Sequence, residues 1–201
     1  MNVHQRSLVM VVELGHKTKD FIRVYDGMVK EPFCQTVIQA FDKSKSQYID
    51  REQRPTFHEL NVSQRYEAKD SRWITIQNKL TNIFIDAVEL YMKELDVDLD
   101  FPYEYAFEEH RIKKYDNNGK DQFKDHVDVG DYNSARRFLV CFLYLNNVTA
   151  GGETKFPKIH HAIEPKCGRI LLFPATWQYR HSGEPPITEP KYIVGSYLHY
   201  L

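Results

Sequence analysis

The sequence predicts an α+β fold with a mainly β core of the sandwich or jelly-roll kind, and helices from its first half packed on one sheet. Three observations predict it. From Tyr105 onward, short runs rich in aromatic and β-branched residues alternate with turn signals at Asp116-Asn117-Asn118-Gly119, Gly151-Gly152 and Lys166-Cys167-Gly168. One such run, 137–145, is almost continuously apolar, as a strand buried on both faces must be. Ahead of these runs, residues 73–95 carry an apolar stripe at helical spacing, suited to covering one face of a sheet.

Taken in order, residues 21–25 read as a strand closed by a turn at Asp26-Gly27. Glu31-Pro32 then opens a helix, because proline's missing N–H is no loss in a first turn. Phe33, Val37, Ile38 and Phe41 form its apolar face, with Cys34 beside them. Residues 43–71 are polar, with scattered aromatics and a break at Arg54-Pro55. They read equally as a long surface connection holding one short strand or as a flexible wall near a site. Asp70-Ser71 precedes the second helix, whose stripe runs Trp73, Ile76, Leu80, Ile83, Phe84, Ala87, Val88, Tyr91 and Leu95. Strands follow at 109–115, 123–129, 137–145, in a short run ending at Pro157, and at 162–165, 169–173 and 191–201, with a loop at 130–135. No repeat or linker divides the chain. Residues 1–201 read as a single domain, with a helical support over about 20–100 and a β core over about 105–201.

Composition sets outer bounds. The chain has 201 residues, 42% hydrophobic and 27% charged, with a net charge of −1. That suits a globular domain with a sizeable core and excludes a binder that relies on overall positive charge to hold nucleic acid. The basic clusters Arg111-Ile112-Lys113-Lys114 and Arg136-Arg137 read as solvated strand ends. Cys34, Cys141 and Cys167 are widely spaced, which fits reduced thiols better than a disulfide framework. The apolar run Leu8 to Val12 is cut by Glu13, too soon for a secretory signal. No run approaches the roughly 18 apolar residues of a membrane span. The sequence therefore reads as a soluble cytoplasmic protein.

Chemistry concentrates at His126-Val127-Asp128, the one place where an acid follows a histidine by two residues. Side chains at i and i+2 of a strand share a face, so an imidazole and a carboxylate stand side by side. Two histidines and one carboxylate make the facial triad that holds Fe(II) with positions left open. Of the nine histidines, His4, His16, His58, His110, His160, His161 and His199 compete with His181 for the third place. His181 is the best candidate, although taken alone it reads as a loop histidine after the aromatic Trp177 and Tyr179. Lys191, opening the last strand, is either a surface lysine or a fixed cation at the base of a pocket. Tyr115 and Tyr144, on flanking strands, are either core tyrosines or hydroxyl donors to a ligand.

The order Tyr115, His126-Val127-Asp128, Cys141-Phe142-Leu143-Tyr144-Leu145-Asn146, Gly151-Gly152-Glu153-Thr154-Lys155-Phe156-Pro157, Pro165-Lys166-Cys167-Gly168-Arg169-Ile170-Leu171-Leu172-Phe173, His181 and Lys191-Tyr192 resembles the catalytic domain of prolyl 4-hydroxylases, within the Fe(II)- and 2-oxoglutarate-dependent dioxygenases. The resemblance covers about residues 105–200. It implies a double-stranded β-helix, the cupin-like jelly roll. His126, Asp128 and His181 match the iron ligands. Lys191 matches the base that pairs with the far carboxylate of 2-oxoglutarate, Tyr144 matches a donor to that carboxylate, Tyr115 lines the cosubstrate pocket, and Thr154 faces it. The implied cofactors are Fe(II), 2-oxoglutarate and O2, with ascorbate as reductant, and the implied co-products are succinate and CO2. The implied partner is a peptide or protein hydroxylated at a prolyl residue. Alternatives are another side chain, a free amino acid, a nucleobase, or a non-catalytic cupin-like metal-binding module. Two departures, a single glycine (Gly119) between Tyr115 and His126 and a proline-rich 183–190, fall at the substrate entrance, which 43–71 and 183–190 are expected to border.

Overall fold

The computed structural model describes residues 17–51 and 55–201. His4, His16, the Leu8–Val12 run and Arg54 lie outside the described residues. The first half supplies β1 (Arg23–Tyr25), α1 (Glu31–Asp42), β2 (Gln47–Asp50), β3 (Thr56–Asn61), α2 (Val62–Glu67) and α3 (Ser71–Leu95). The second supplies β4 (Tyr105–Phe107), β5 (Arg111–Tyr115), β6 (Phe123–His126), β7 (Arg137–Tyr144), β8 (Thr154–Phe156), β9 (His161–Ile163), β10 (Ile170–Pro174), β11 (His181–Gly183) and β12 (Lys191–Tyr200). An eight-stranded sheet runs β1-β10-β7-β12-β5-β3-β2, with β4 beside the far end of β12, and a four-stranded sheet runs β6-β11-β8-β9. All pairings are antiparallel, and the result is the predicted jelly roll.

Strand alternation gives the large sheet two unlike faces. Ile112, Leu139, Cys141, Leu143, Leu172 and Val194 point to one face, where they pack with α1 and α3 through Phe33, Val37, Phe41, Trp73, Leu80, Phe84 and Val88. Each of these buried side chains contributes on the order of 1.5–3 kcal/mol. Asp70 caps α3 by accepting from the Arg72 amide, and Asp96 ends it in the left-handed region at φ 54°. The other face carries Tyr115, Val140, Tyr144, Leu171, Phe173 and Ile193, and it looks inward to the small sheet. This inner face holds the site.

Residues 43–51 and 55–71 hold more structure than the one short strand expected of a connection: they form two strands and a helix, and β3 continues the large sheet beside β5. The apolar pattern hides this strand because its buried residues Phe57 and Leu60 fall on opposite faces, while Glu59 and His58 are matched by Arg111 and Asp116 across the ladder. The two basic clusters are likewise not simply solvated. Arg111 pairs with Glu59 and Glu109, and Arg137 grips Glu108 through two hydrogen bonds of 2.8 Å. All three cysteines are free thiols, with Cys34 and Cys141 buried. Among the described residues no helix is long and apolar enough to cross a membrane.

Candidate active site

His126 ends β6 and His181 begins β11, and the two are direct partners across the antiparallel ladder. Such partners have Cβ atoms about 4.5–5.5 Å apart, and here the ring centroids are 4.4 Å apart. The aromatic segment 177–180 therefore hands His181 to a strand, not to the loop its sequence suggested. That strand is only three residues long, too short for an alternation signal. Asp128 also departs from expectation. It lies two residues past the end of β6, in a bend held by Arg137 Nη1 donating to the Asp128 carbonyl at 3.1 Å.

His126, Asp128 and His181 offer one ligand atom each, all within 4.8 Å of one another. Asp128 Oδ1 is 3.8 Å from His126 Nε2, and Oδ2 is 3.7 Å from His181 Nε2. The Nδ1 atoms are occupied elsewhere, at 2.8 Å from the Lys124 carbonyl and 3.0 Å from the Tyr179 carbonyl. Those bonds fix both rings with Nε2 inward, the orientation that metal-binding histidines need. Burial, then the neighbouring His181, pushes the His126 imidazole down to about 4, so at neutral pH it is in the unprotonated form a metal requires. The donor set fits Fe(II): two imidazoles and a carboxylate on one side of a point, with the other side open to a cavity.

That cavity is lined by Lys113, Tyr115, Phe123, Phe142, Thr154 and Lys191 among others, and its empty space is about 430 Å³. Lys191 is only 1% exposed. Its Nζ donates to the Gly152 carbonyl at 2.9 Å and sits 4.4 Å from the centre of the Tyr115 ring. No carboxylate forms an ion pair with it among the described residues, and Glu153 and Glu184 favour its charge only from a distance. A buried ammonium without a close counter-charge is costly, and burial pushes Lys191 down to about 7. Gly183 leaves room there, since a Cβ on it would stand 3.5 Å from Nζ. Tyr144 and Thr154 are buried together, hydroxyl to hydroxyl at 2.6 Å. Thr154 lines the cavity, while Tyr144 stands behind it. Of the seven residues singled out by sequence, Tyr115, His126, Thr154, His181 and Lys191 line this cavity, while Asp128 adjoins the two histidines and Tyr144 stands behind Thr154. His58, His160, His161 and His199 do not join the triad, and His110 is buried against Phe84 and Phe107.

Sequence reasoning missed Tyr197, whose hydroxyl donates to Asp128 Oδ1 at 2.8 Å. The signal was present: 191, 193, 195 and 197 share one face of β12, so Tyr197 looks the same way as Lys191. Gly195 between them is closely packed, since a Cβ there would stand 3.1 Å from the Phe142 ring and the ring would have to shift slightly. Groups that orient metal ligands typically govern ten- to a hundredfold in metal affinity. Tyr197→Phe is therefore expected to raise the Mn(II) dissociation constant about tenfold, measured by calorimetry. An unchanged constant would leave Tyr197 with packing alone.

Comparison with known proteins agrees with this geometry. Residues 110–199 match the model of the 2OG-Fe(II) oxygenase superfamily. Over 108 residues the chain is 27% identical to prolyl 4-hydroxylase subunit alpha-1 of Gallus gallus, and this match spans 46% of the chain but only 20% of that relative's length. Among solved structures, a Trichoplax adhaerens prolyl hydroxylase in complex with a hypoxia inducible factor peptide superposes with a TM-score of 0.70 at 13% identity, over 89% of this chain and 83% of that one. The viral collagen prolyl hydroxylase of Paramecium Bursaria Chlorella virus-1, in its 2OG complex, gives 0.61 at 16% identity, over 90% and 96%. The sequence match, the shared fold and the triad thus agree: residues 110–199 are similar to the 2OG-Fe(II) oxygenase superfamily, and the chain has the fold of the prolyl hydroxylase structures.

Proposed function

We propose that the chain is an Fe(II)- and 2-oxoglutarate-dependent dioxygenase that hydroxylates a prolyl residue of a peptide or protein. The observation that carries this reading is a triad of two imidazoles and one carboxylate beside a cavity whose base holds a buried lysine. The prolyl and peptide parts rest on the relatives, a prolyl 4-hydroxylase subunit and prolyl hydroxylase structures, one with a bound peptide. Fe(II) with 2-oxoglutarate and O2 supplies the oxidising chemistry, releasing succinate and CO2 and leaving one oxygen atom on the substrate carbon.

The chain's own residues do the positioning. His126, Asp128 and His181 would hold the metal, and Tyr197 fixes the carboxylate's orientation. Lys191 would take the far carboxylate of 2-oxoglutarate beside Gly183, with the Thr154 hydroxyl at hand and Tyr144 orienting it from behind. Tyr115, Phe123 and Phe142 form apolar walls that exclude water. Beyond them an open groove is lined by Ile49, Pro55, Phe57, Glu59, Arg137 and Tyr197, so strands β2 and β3 wall it for substrate. Of 183–190, only Gly183 lines the cavity; Thr188 and Glu189 hydrogen-bond instead to the 149–150 backbone.

The test is to supply Fe(II), 2-oxoglutarate and ascorbate and to follow succinate together with oxygen addition to prolyl peptides, amino acids and nucleosides by mass spectrometry. Oxygen on peptidyl proline supports the reading. Oxygen on a nucleoside alone, or no succinate at all, overturns it.

The lysine makes binding pH-dependent. An unfolded lysine keeps its proton to about 10.4, whereas ligand-free Lys191 loses it near 7. Between those values the unfolded state holds more protons, so ligand-free stability gains from this group as pH rises. Cosubstrate binding has the opposite sign, because the carboxylate needs the ammonium. The 2-oxoglutarate dissociation constant is expected to rise between pH 7 and 9, by up to about tenfold per pH unit, with proton uptake on binding. A flat profile in calorimetry would contradict this.

A further inference from the structure

A second lysine faces the cavity. Residues 111, 113 and 115 share the inner face of β5, which puts Lys113 between the triad's cavity and the outer groove, and it lines both. Its direct partner across the ladder is Glu59. That carboxylate, however, accepts from Arg111 at 2.9 Å. Arg137, on the same groove wall, is held by Glu108. Lys113 Nζ has no hydrogen bond or ion pair among the described residues. It rests against aromatic faces, 5.2 Å from the centre of the Phe57 ring and 5.5 Å from that of Phe123. Such contacts hold an ammonium in place without neutralising it. Its surroundings also disfavour the charge, since burial pushes Lys113 down. Lys191 is enclosed at the base with the Gly152 carbonyl, whereas Lys113 is half-buried at the mouth. Arg51, exposed at the groove's rim, adds a charge of the same sign.

We propose that Lys113 determines specificity by pairing with a carboxylate of the prime substrate, so that the peptide hydroxylated here carries an aspartate or glutamate next to the oxidised residue. The proposal rests on the peptide-hydroxylase reading above. Lys113 is a positioning residue: it orients the substrate's target C–H toward the triad and takes no part in bond making.

The probe is a panel of synthetic prolyl peptides, identical except for Asp, Asn or Lys on either side of the proline. Each is turned over by the Fe(II)- and 2-oxoglutarate-loaded protein, and oxygen addition is read by mass spectrometry. The parent is expected to favour an Asp over an Asn peptide by about ten- to a hundredfold in kcat/KM, carried mainly by KM. Lys113→Met removes that preference. Lys113→Glu turns it toward the Lys peptide, which a merely structural lysine would not do. A parent that hydroxylates Asp and Asn peptides alike, or a Lys113→Met that keeps the preference, overturns this proposal and leaves the peptide reading standing. A parent that hydroxylates none of the panel overturns both. A higher 2-oxoglutarate dissociation constant for Lys113→Met with Mn(II) would assign the residue to the cosubstrate and overturn the proposal too.

Discussion

Asp128→Ala is expected to abolish turnover and to weaken Mn(II) binding by at least about a hundredfold, the upper end of what groups merely touching metal ligands govern. Asp128 is the only anionic member of the triad, and its two oxygens each face one imidazole. Without it, two neutral rings remain, and the metal's charge meets no compensating group in a largely buried site. The fold should survive, because the Asp128 backbone stays tied through Arg137 to its carbonyl. Asp128→Asn retains an acceptor for Tyr197 and separates loss of charge from loss of shape. Calorimetry with Mn(II), alongside circular dichroism to verify folding, decides the matter. Parent-like affinity in Asp128→Ala would remove Asp128 from the ligand set.

Lys191→Met is the second large effect. Hydrogen bonds to charged groups contribute on the order of 1.5–3 kcal/mol, and each ~1.4 kcal/mol is tenfold in affinity. The variant should therefore bind 2-oxoglutarate roughly ten- to a hundredfold more weakly. Without cosubstrate it should be at least as stable as the parent, because methionine fills similar space without burying an uncompensated charge. Tyr144→Phe should cost less, since that hydroxyl reaches the cavity by way of Thr154. The measurement is the 2-oxoglutarate dissociation constant with Mn(II) and without oxygen, paired with a melting curve of the ligand-free protein. Equal affinity in Lys191→Met would move the carboxylate's partner elsewhere in the cavity.

Much of this site was legible because its residues obey simple periodicities. Helix α3 announced itself through one long stripe, and β7 through an unbroken apolar run. His126 and Asp128 were readable as a pair from their spacing, although the strand ends at the first of them. Short elements were harder. Three residues of β11 carry no period, so the ladder that brings His181 to His126 was invisible until the sheets were in place. The strand β3 was masked because polar side chains that look solvated in sequence are satisfied across the ladder. Tyr197 and Lys113 show a third kind of limit: parity along a strand gives a side chain's direction, but only the partner strands tell what it meets.

The most direct test of the metal and cosubstrate assignment is an anaerobic titration of the Fe(II)-loaded chain with 2-oxoglutarate, followed by the visible charge-transfer absorption of a 2-oxo acid chelated to ferrous iron. The site described here predicts an absorption that saturates at one equivalent in the parent, needs roughly ten- to a hundredfold more 2-oxoglutarate in Lys191→Met, and is absent in His126→Ala and His181→Ala. No absorption from the iron-loaded parent, or the same titration in the parent and all three variants, would contradict it.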